Sequence, residues 1–117
     1  MNPLRLSEIP AVFYRTSGGT EPVLEWLRSL PAEDRRAIGT DLATVRFGWP
    51  IGMPLCRPLG DGLWEVRSRL PSRRIARLVF FVHDGRIGVV HGFIKKTQKT
   101  PAEDLDLARR RMKEMRA

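Results

Sequence analysis

Four residues, His83-Asp84-Gly85-Arg86, constrain this chain more than any others. Asp-Gly suits the two left-handed backbone positions of a type I′ turn, whose twist matches that of the strands it joins. The apolar runs on either side, Arg74 to His83 and Arg86 to Ile94, are therefore predicted to form an antiparallel hairpin. The turn also fixes a register, which converts sequence into a map of neighbours. With His83 opposite Arg86, Val79 faces Val90, Arg77 faces Gly92 and Arg73 faces Lys96. Cross-strand partners share a face, so Arg77 and Lys96 are expected to point the same way. Bare backbone at Gly92 would leave a shallow basic concavity between them, open to a phosphate.

The preceding run, Leu63 to Leu70, turns back through Leu70-Pro71-Ser72-Arg73. If Leu70 pairs near Arg74, Arg67 lies opposite Arg77, and Glu65, Arg67 and Arg69 alternate onto the same face while Trp64 and Val66 turn to the core. Cations from three places converging beside one carboxylate suit an anion, and the carboxylate is a group that can move a proton. The same pattern also fits a cross-strand ion pair of Glu65 with Arg67 or Arg77 and no chemistry. An exposed Arg77 facing glycine would contribute little packing, so its loss should cost no more than about 1 kcal/mol. His91 is placed opposite Leu78, on the core side, and Trp26, Trp49 and Trp64 are read as packing residues.

Ahead of this meander, Ile9 to Arg15 predicts a first strand and Thr16-Ser17-Gly18-Gly19 a loop. Thr20 is placed to cap a helix with Pro22 in an early position and Val23, Leu24, Trp26, Leu27 and Leu30 on its apolar stripe, ending before Pro31. A second helix is expected over Ala32 to Phe47, with Ile38, Leu42 and Val45 at helical spacing. Pro/Gly-rich residues 50–62 leave room for one short strand around Leu55–Leu59. Thr100-Pro101-Ala102-Glu103 resembles a helix start, with an N-cap, a first-turn proline and a capping-box glutamate, for a helix to about Glu114. The sum is an α+β domain: an antiparallel sheet with two N-terminal helices on one face and a C-terminal helix, the other face free for function.

The 117 residues, 42% hydrophobic, suffice for one core and not for two, so one domain over 1–117 is expected. Twenty-one Lys+Arg against 13 Asp+Glu leave a formal charge of +8, which favours a polyanionic partner, nucleic acid or acidic protein. Cys56 stands alone, so neither an intrachain disulfide nor a cysteine pair for zinc is available. It is read as a small buried hydrophobe. The start of the chain has no long apolar run after basic residues, and no window approaches the roughly 18 apolar residues that span a bilayer. A cytoplasmic protein without membrane attachment is expected. Nothing in the chain resembles a metal-ligand cluster or a cofactor motif.

Leu63-Trp64-Glu65-Val66-Arg67, Arg77-Leu78-Val79-Phe80-Phe81 and above all His91-Gly92-Phe93-Ile94-Lys95-Lys96-Thr97-Gln98-Lys99-Thr100-Pro101 resemble the phage-derived, HigB-like branch of the RelE/ParE toxin superfamily. The resemblance implies a RelE-like fold and cleavage of messenger RNA in the ribosomal A site. It also implies a helix-turn-helix, HigA-like antitoxin as partner, with operator DNA contacted only through that antitoxin. In RelE-type toxins a basic cluster on the sheet does the cutting, and Arg67, Arg77 and Lys96 match it. Glu65 stands where RelE has a basic residue, and the tyrosine that RelE carries after its last strand has no counterpart. The implied catalytic set is Glu65, Arg67, Arg77 and Lys96, with Arg69, Arg73, Arg74, Lys95 and Lys99 binding RNA; Arg69, Arg73 and Arg74 fit ordinary solvated residues as well. Glu65 would draw the proton from a ribose 2′-hydroxyl, Arg67 and Arg77 would stabilise the phosphoryl oxygens, and Lys96 would serve the leaving 5′-oxygen, with no metal. The competing readings are a ParE-like toxin that binds DNA gyrase and a basic nucleic-acid-binding module without activity. Convergence of the cations beside Glu65 favours the nuclease, since a pure binder more often interleaves aromatics with its bases.

Overall fold

A computed structural model describes residues 8–117; the first residues, on which the expected lack of a leader bears, lie outside this range. In chain order the elements are β1 (Ala11–Phe13), α1 (Pro22–Arg28), α2 (Ala32–Gly48), β2 (Cys56–Gly60), β3 (Leu63–Arg69), β4 (Ile75–His83), β5 (Arg86–Ile94) and α3 (Ala102–Arg116). The fold is α+β, as the sequence predicts, with one five-stranded sheet in the order β1-β5-β4-β3-β2. It is mixed rather than antiparallel, because β1 runs parallel to β5, with Ala11, Val12 and Phe13 beside Ile87, Gly88 and Val89. The two helices carry the chain from β1 across the sheet to its far edge, the kind of helical connection that frees the first strand to return parallel. β2 to β5 then meander back to it.

Asp84 and Gly85 adopt φ of 51° and 71°, the left-handed pair of a type I′ turn. The predicted pairing holds from His83↔Arg86 to Phe80↔Val89 and then slips by one residue. Val90 is a bulge. Beyond it Val79 faces His91, Leu78 faces Gly92 and Arg77 faces Phe93. The expected pairing of Arg77 with Gly92 and of His91 with Leu78 is thereby overturned. A bulge re-aims the side chains that follow it. Here it takes His91 off the apolar face that Leu78 shares and brings its Nε2 to 2.6 Å from Asp104 Oδ1 on α3. Gly92 takes the vacated face, under the Trp26 ring; a Cβ there would lie 2.5 Å from Trp26 and 3.2 Å from Leu78.

Val23, Leu27, Ile38, Leu42 and Val45 of α1 and α2 pack on Val66, Leu78, Phe80, Ile87 and Val89. Trp49 meets Trp64 edge-on at 4.9 Å and Phe80 at 5.4 Å. Cys56 is fully buried, and burial, with the Asp41 charge, pushes its thiol up to about 11. It is the small buried residue predicted, and a thiol so raised is unreactive. Thr20 does not cap α1, whose N-cap is Glu21; its N–H instead closes the preceding loop on Thr16 Oγ1 at 3.0 Å.

The second face of the sheet is not free. Ala108 and Met112 of α3 close a second core with Leu63, Val79, Phe81 and Val90. Tyr14 donates to Glu114 at 2.6 Å, and Arg111 lies 4.9 Å over the Tyr14 ring while donating to the Val90 carbonyl at 2.9 Å. Burial of one methionine is worth roughly 1.5–3 kcal/mol, against about 0.2–1 kcal/mol for an exposed pair such as Arg109 with Asp61. Apolar contact therefore holds α3 down, and its polar contacts set where it sits.

Buried Asp34 of α2 ties the helices to the β3–β4 turn, accepting from Ser72 Oγ at 2.8 Å and Arg74 Nη2 at 3.2 Å. Burial alone would push its carboxyl up, but the bonds from Ser72 and Arg74 outweigh burial and hold it below the usual carboxylate value. A depressed carboxyl stabilises the fold above its unfolded pKa and ceases to do so as pH falls through the folded one. Asp34→Asn should lower Tm at neutral pH, with the deficit shrinking on acidification below the ordinary carboxylate range, read from thermal melts across pH. Gly92→Ala should cost about 1–3 kcal/mol by overpacking against Trp26, whereas a glycine lining an open concavity would tolerate the methyl; chemical denaturation distinguishes the two.

Candidate functional site

Where the first turn of α3 meets the sheet, cross-strand pairing sets two rows side by side. Arg57 of β2 faces Glu65 of β3, and Arg67 of β3 faces Arg77 of β4. Alternation along β3 puts Glu65 and Arg67 on one face. Three arginines thus share one face with a single carboxylate, and Arg77 is the one within ion-pair distance of it. Glu65 and Arg77 are 0% and 1% exposed, while Arg57 and Arg67 are half-buried.

Thr100 joins the pair. Its hydroxyl donates to Glu65 Oε1 at 2.9 Å and accepts from Arg77 Nη1 at 3.2 Å, and Arg77 Nη2 donates to the Gln98 carbonyl at 2.8 Å. Glu65 Oε2 and Arg77 Nε lie 3.6 Å apart and, like Arg67 Nε, find no hydrogen-bond partner among the described residues. Burial, then the charges of Arg67 and Arg57, lower the Arg77 pKa from its ordinary value against the opposing pull of Glu65. The guanidinium stays charged, as arginine does in proteins. Thr100 is therefore no helix cap; α3 begins at Ala102 with Pro101 at its N-cap and no side-chain cap bond. The Thr97–Thr100 segment lies over the Glu65–Arg77 pair as a cover.

The structure brings together three of the four residues predicted as catalytic, Glu65, Arg67 and Arg77, and not the fourth. β5 ends at Ile94, so Lys96 is not on a strand opposite Arg73; it is exposed and lines a separate cleft with Trp26, Phe93 and Glu103. The prediction needed strand geometry two residues beyond where the strand stops. Nor is Arg77 exposed, so its truncation is not the mild change expected from sequence. Arg69, Arg73 and Lys99 are exposed, Lys95 is half-buried, and Arg74 is engaged with Asp34. Sequence reasoning passed over Arg57 and misread Thr100. The turn at Asp61-Gly62 pairs β2 with β3, but its unshifted register would set Pro58 opposite Glu65, and the shift between Pro58 and Gly60 is what brings Arg57 there; the Thr-Pro pattern at residues 100–101 fits both a cap and a cluster ligand.

Beside Arg67 lies an open cleft of about 390 Å³ lined by Asp41, Pro54, Leu55, Arg67, Arg69 and Ile75. The site thus has a sealed part, Glu65 with Arg77, and an accessible part at Arg67. Chemically, the carboxylate can accept a proton, and guanidinium groups beside it can hold a phosphoryl group in bidentate hydrogen bonds. Removing one partner of a buried ion pair typically costs about 3–5 kcal/mol. Arg77→Ala should cost a similar amount in chemical denaturation, and pairing Arg77→Met with Glu65→Leu should recover much of the loss.

No curated protein matches the chain. The model of the family described as phage-derived protein Gp49-like (DUF891) matches residues 25–113, which run from α1 into α3 and include Arg57, Glu65, Arg67, Arg77 and Thr100. With this match spanning most of its length, the chain belongs to the phage-derived Gp49-like family, a RelE/toxin-like family.

Proposed function

We propose that the protein is the toxin of a toxin–antitoxin pair, in the HigB-like branch, and that it cleaves messenger RNA on the ribosome without a metal ion. The observation that carries this reading is the single carboxylate of Glu65 held among Arg57, Arg67 and Arg77. Family membership supports the toxin assignment. In the closed arrangement Arg67 alone of the predicted catalytic residues lines the open cleft, so it receives the scissile phosphate first. An incoming phosphate then takes over the two Arg77 donors now bonded to Thr100 and Gln98, and the Thr97–Thr100 cover lifts. That exchange frees Glu65 Oε1 to accept the proton of the ribose 2′-hydroxyl.

The 2′-oxygen attacks the adjacent phosphorus, the bond to the 5′-oxygen breaks, and the products are a 2′,3′-cyclic phosphate and a 5′-hydroxyl that takes its proton from water. Arg67, Arg77 and Arg57 stabilise the charge on the phosphoryl oxygens. Lys99, on the segment that moves, and Lys95 and Lys96, just ahead of it, draw the RNA backbone toward the site, with Arg69 in the cleft and exposed Arg73 adding to the positive charge. An RNA held on the ribosome is already extended and needs no further ordering. A helix-turn-helix, HigA-like antitoxin silences the site by laying acidic side chains over it, and reaches operator DNA itself.

Expression of the chain alone should arrest bacterial growth, with translation failing before any DNA-damage response. Sustained translation with an induced damage response would move the target to gyrase. With ribosomes and messenger RNA in vitro, cuts should carry 2′,3′-cyclic phosphate ends and vanish on 2′-deoxy substitution. Arg67→Ala should lower the cleavage rate about 10²–10³-fold, the usual effect of losing one donor to a developing oxyanion, with Tm near that of the parent. Folded Arg67→Ala protein that cuts normally would remove Arg67 from the reaction.

A further inference from the structure

The cleft beside Arg67 has a composition that phosphate binding alone does not explain. Pro54, Leu55 and Ile75 give it an apolar wall, Arg67 and Arg69 a cationic one, and Asp41 of α2 contributes a carboxylate. Asp41 is half-buried. It takes part in none of the ion pairs or side-chain hydrogen bonds found among the described residues, although two arginines line the same cleft. A carboxylate that could neutralise its neighbours but stands apart from them has acceptor capacity left for a ligand. The cleft volume of about 390 Å³ lies within the range of small-molecule sites, roughly 300–1,000 Å³.

We propose, resting on the ribonuclease reading above, that this cleft binds one nucleotide of the RNA and that Asp41 selects guanine. Single-stranded RNA is read by splaying a base out and hydrogen-bonding its Watson–Crick edge. An ionised carboxylate offers only acceptors. Guanine presents two adjacent donors on that edge, N1–H and the N2 amine, which match the two carboxylate oxygens. Adenine and cytosine each set an acceptor beside their amine, and uracil flanks its one N–H with two acceptors, so each brings lone pairs against Asp41. The base lies on Pro54, Leu55 and Ile75, its edge meets Asp41, and its phosphate lies toward Arg67 and Arg69. Arg67 is thereby shared between the selecting cleft and the catalytic cluster, which ties base choice to the position of the cut.

The test is titration of the full chain with 5′-GMP, 5′-AMP, 5′-CMP and 5′-UMP, followed by backbone amide NMR. GMP should perturb Leu55, Arg67, Arg69 and Ile75 and bind about tenfold more tightly than the other three, and Asp41→Asn should abolish that preference while leaving a weak common affinity for phosphate. Equal affinities in the parent chain, shifts centred elsewhere, or a guanine preference that survives Asp41→Asn would overturn the proposal. Because the parent titration needs no variant, a misfolded Asp41→Asn leaves it decisive. Nucleotide binding is read without cleavage, so guanine selection in a chain that cuts no RNA would count against the reaction and uphold the cleft. RNA cleavage by Asp41→Asn at the parent's sites would count against the cleft and leave the reaction standing.

Discussion

Removing a carboxylate and a guanidinium from water costs several kilocalories per mole for each ion, and their attraction offsets this only when geometry and hydrogen bonds are good. Glu65 and Arg77 meet that condition incompletely. Their facing atoms stand 3.6 Å apart without a hydrogen bond, and the pair relies on Thr100 and the Gln98 carbonyl to complete its coordination. Those two groups belong to the segment between β5 and α3, so the pair is satisfied only while α3 is docked. The docking depends in turn on Met112 and Ala108 against the sheet. One buried contact thereby couples β3, β4, the cover and the terminal helix.

The bulge at Val90 serves the same end. Without it His91 would face the apolar layer of α1 and α2, where Leu78 and the carbon edge of the Trp26 ring line the sheet, and a buried polar ring left unpaired is costly. With it His91 meets Asp104 in the first turns of α3, and glycine occupies the place where Trp26 needs room. A one-residue insertion so fits one strand to two different layers.

The hairpin at Asp84-Gly85, the alternation of Glu65 and Arg67, the facing of Arg67 and Arg77 and the packing of the tryptophans were legible because each rests on a local rule of turn chemistry or period two. What was not legible depended on distant partners. No residue marks Val90 as a bulge; only the demands of Trp26 and Asp104, from separate helices, make the slip favourable. Thr100-Pro101 satisfies the local pattern of a capped helix, and only the buried pair beneath it diverts the hydroxyl. The parallel strand β1 follows from the path of α1 and α2, which no residue of Ala11–Phe13 encodes. Arg57 lay in a Pro/Gly-rich stretch where the two-residue Asp61-Gly62 turn sets Gly60 opposite Leu63, and only the register shift between Pro58 and Gly60 brings Arg57 opposite Glu65. The cluster around Glu65 was thus partly readable, its carboxylate and two of its arginines from strand period, and the state in which they are held not at all.

β1 is three residues long and pairs only with Ile87 to Val89. The outer edge of β5 from His91 to Ile94 accordingly has no strand beside it among the described residues. An unprotected edge is a template on which another chain can add, the usual beginning of aggregation. The strand runs at once into Lys95 and Lys96, and lysine at an edge repels a second copy of itself while leaving other sequences free to approach. Such an edge makes the solubility of this chain sensitive to two side chains that contribute nothing to its cores, and a charge-neutralising modification of either lysine would be felt first in colloidal behaviour.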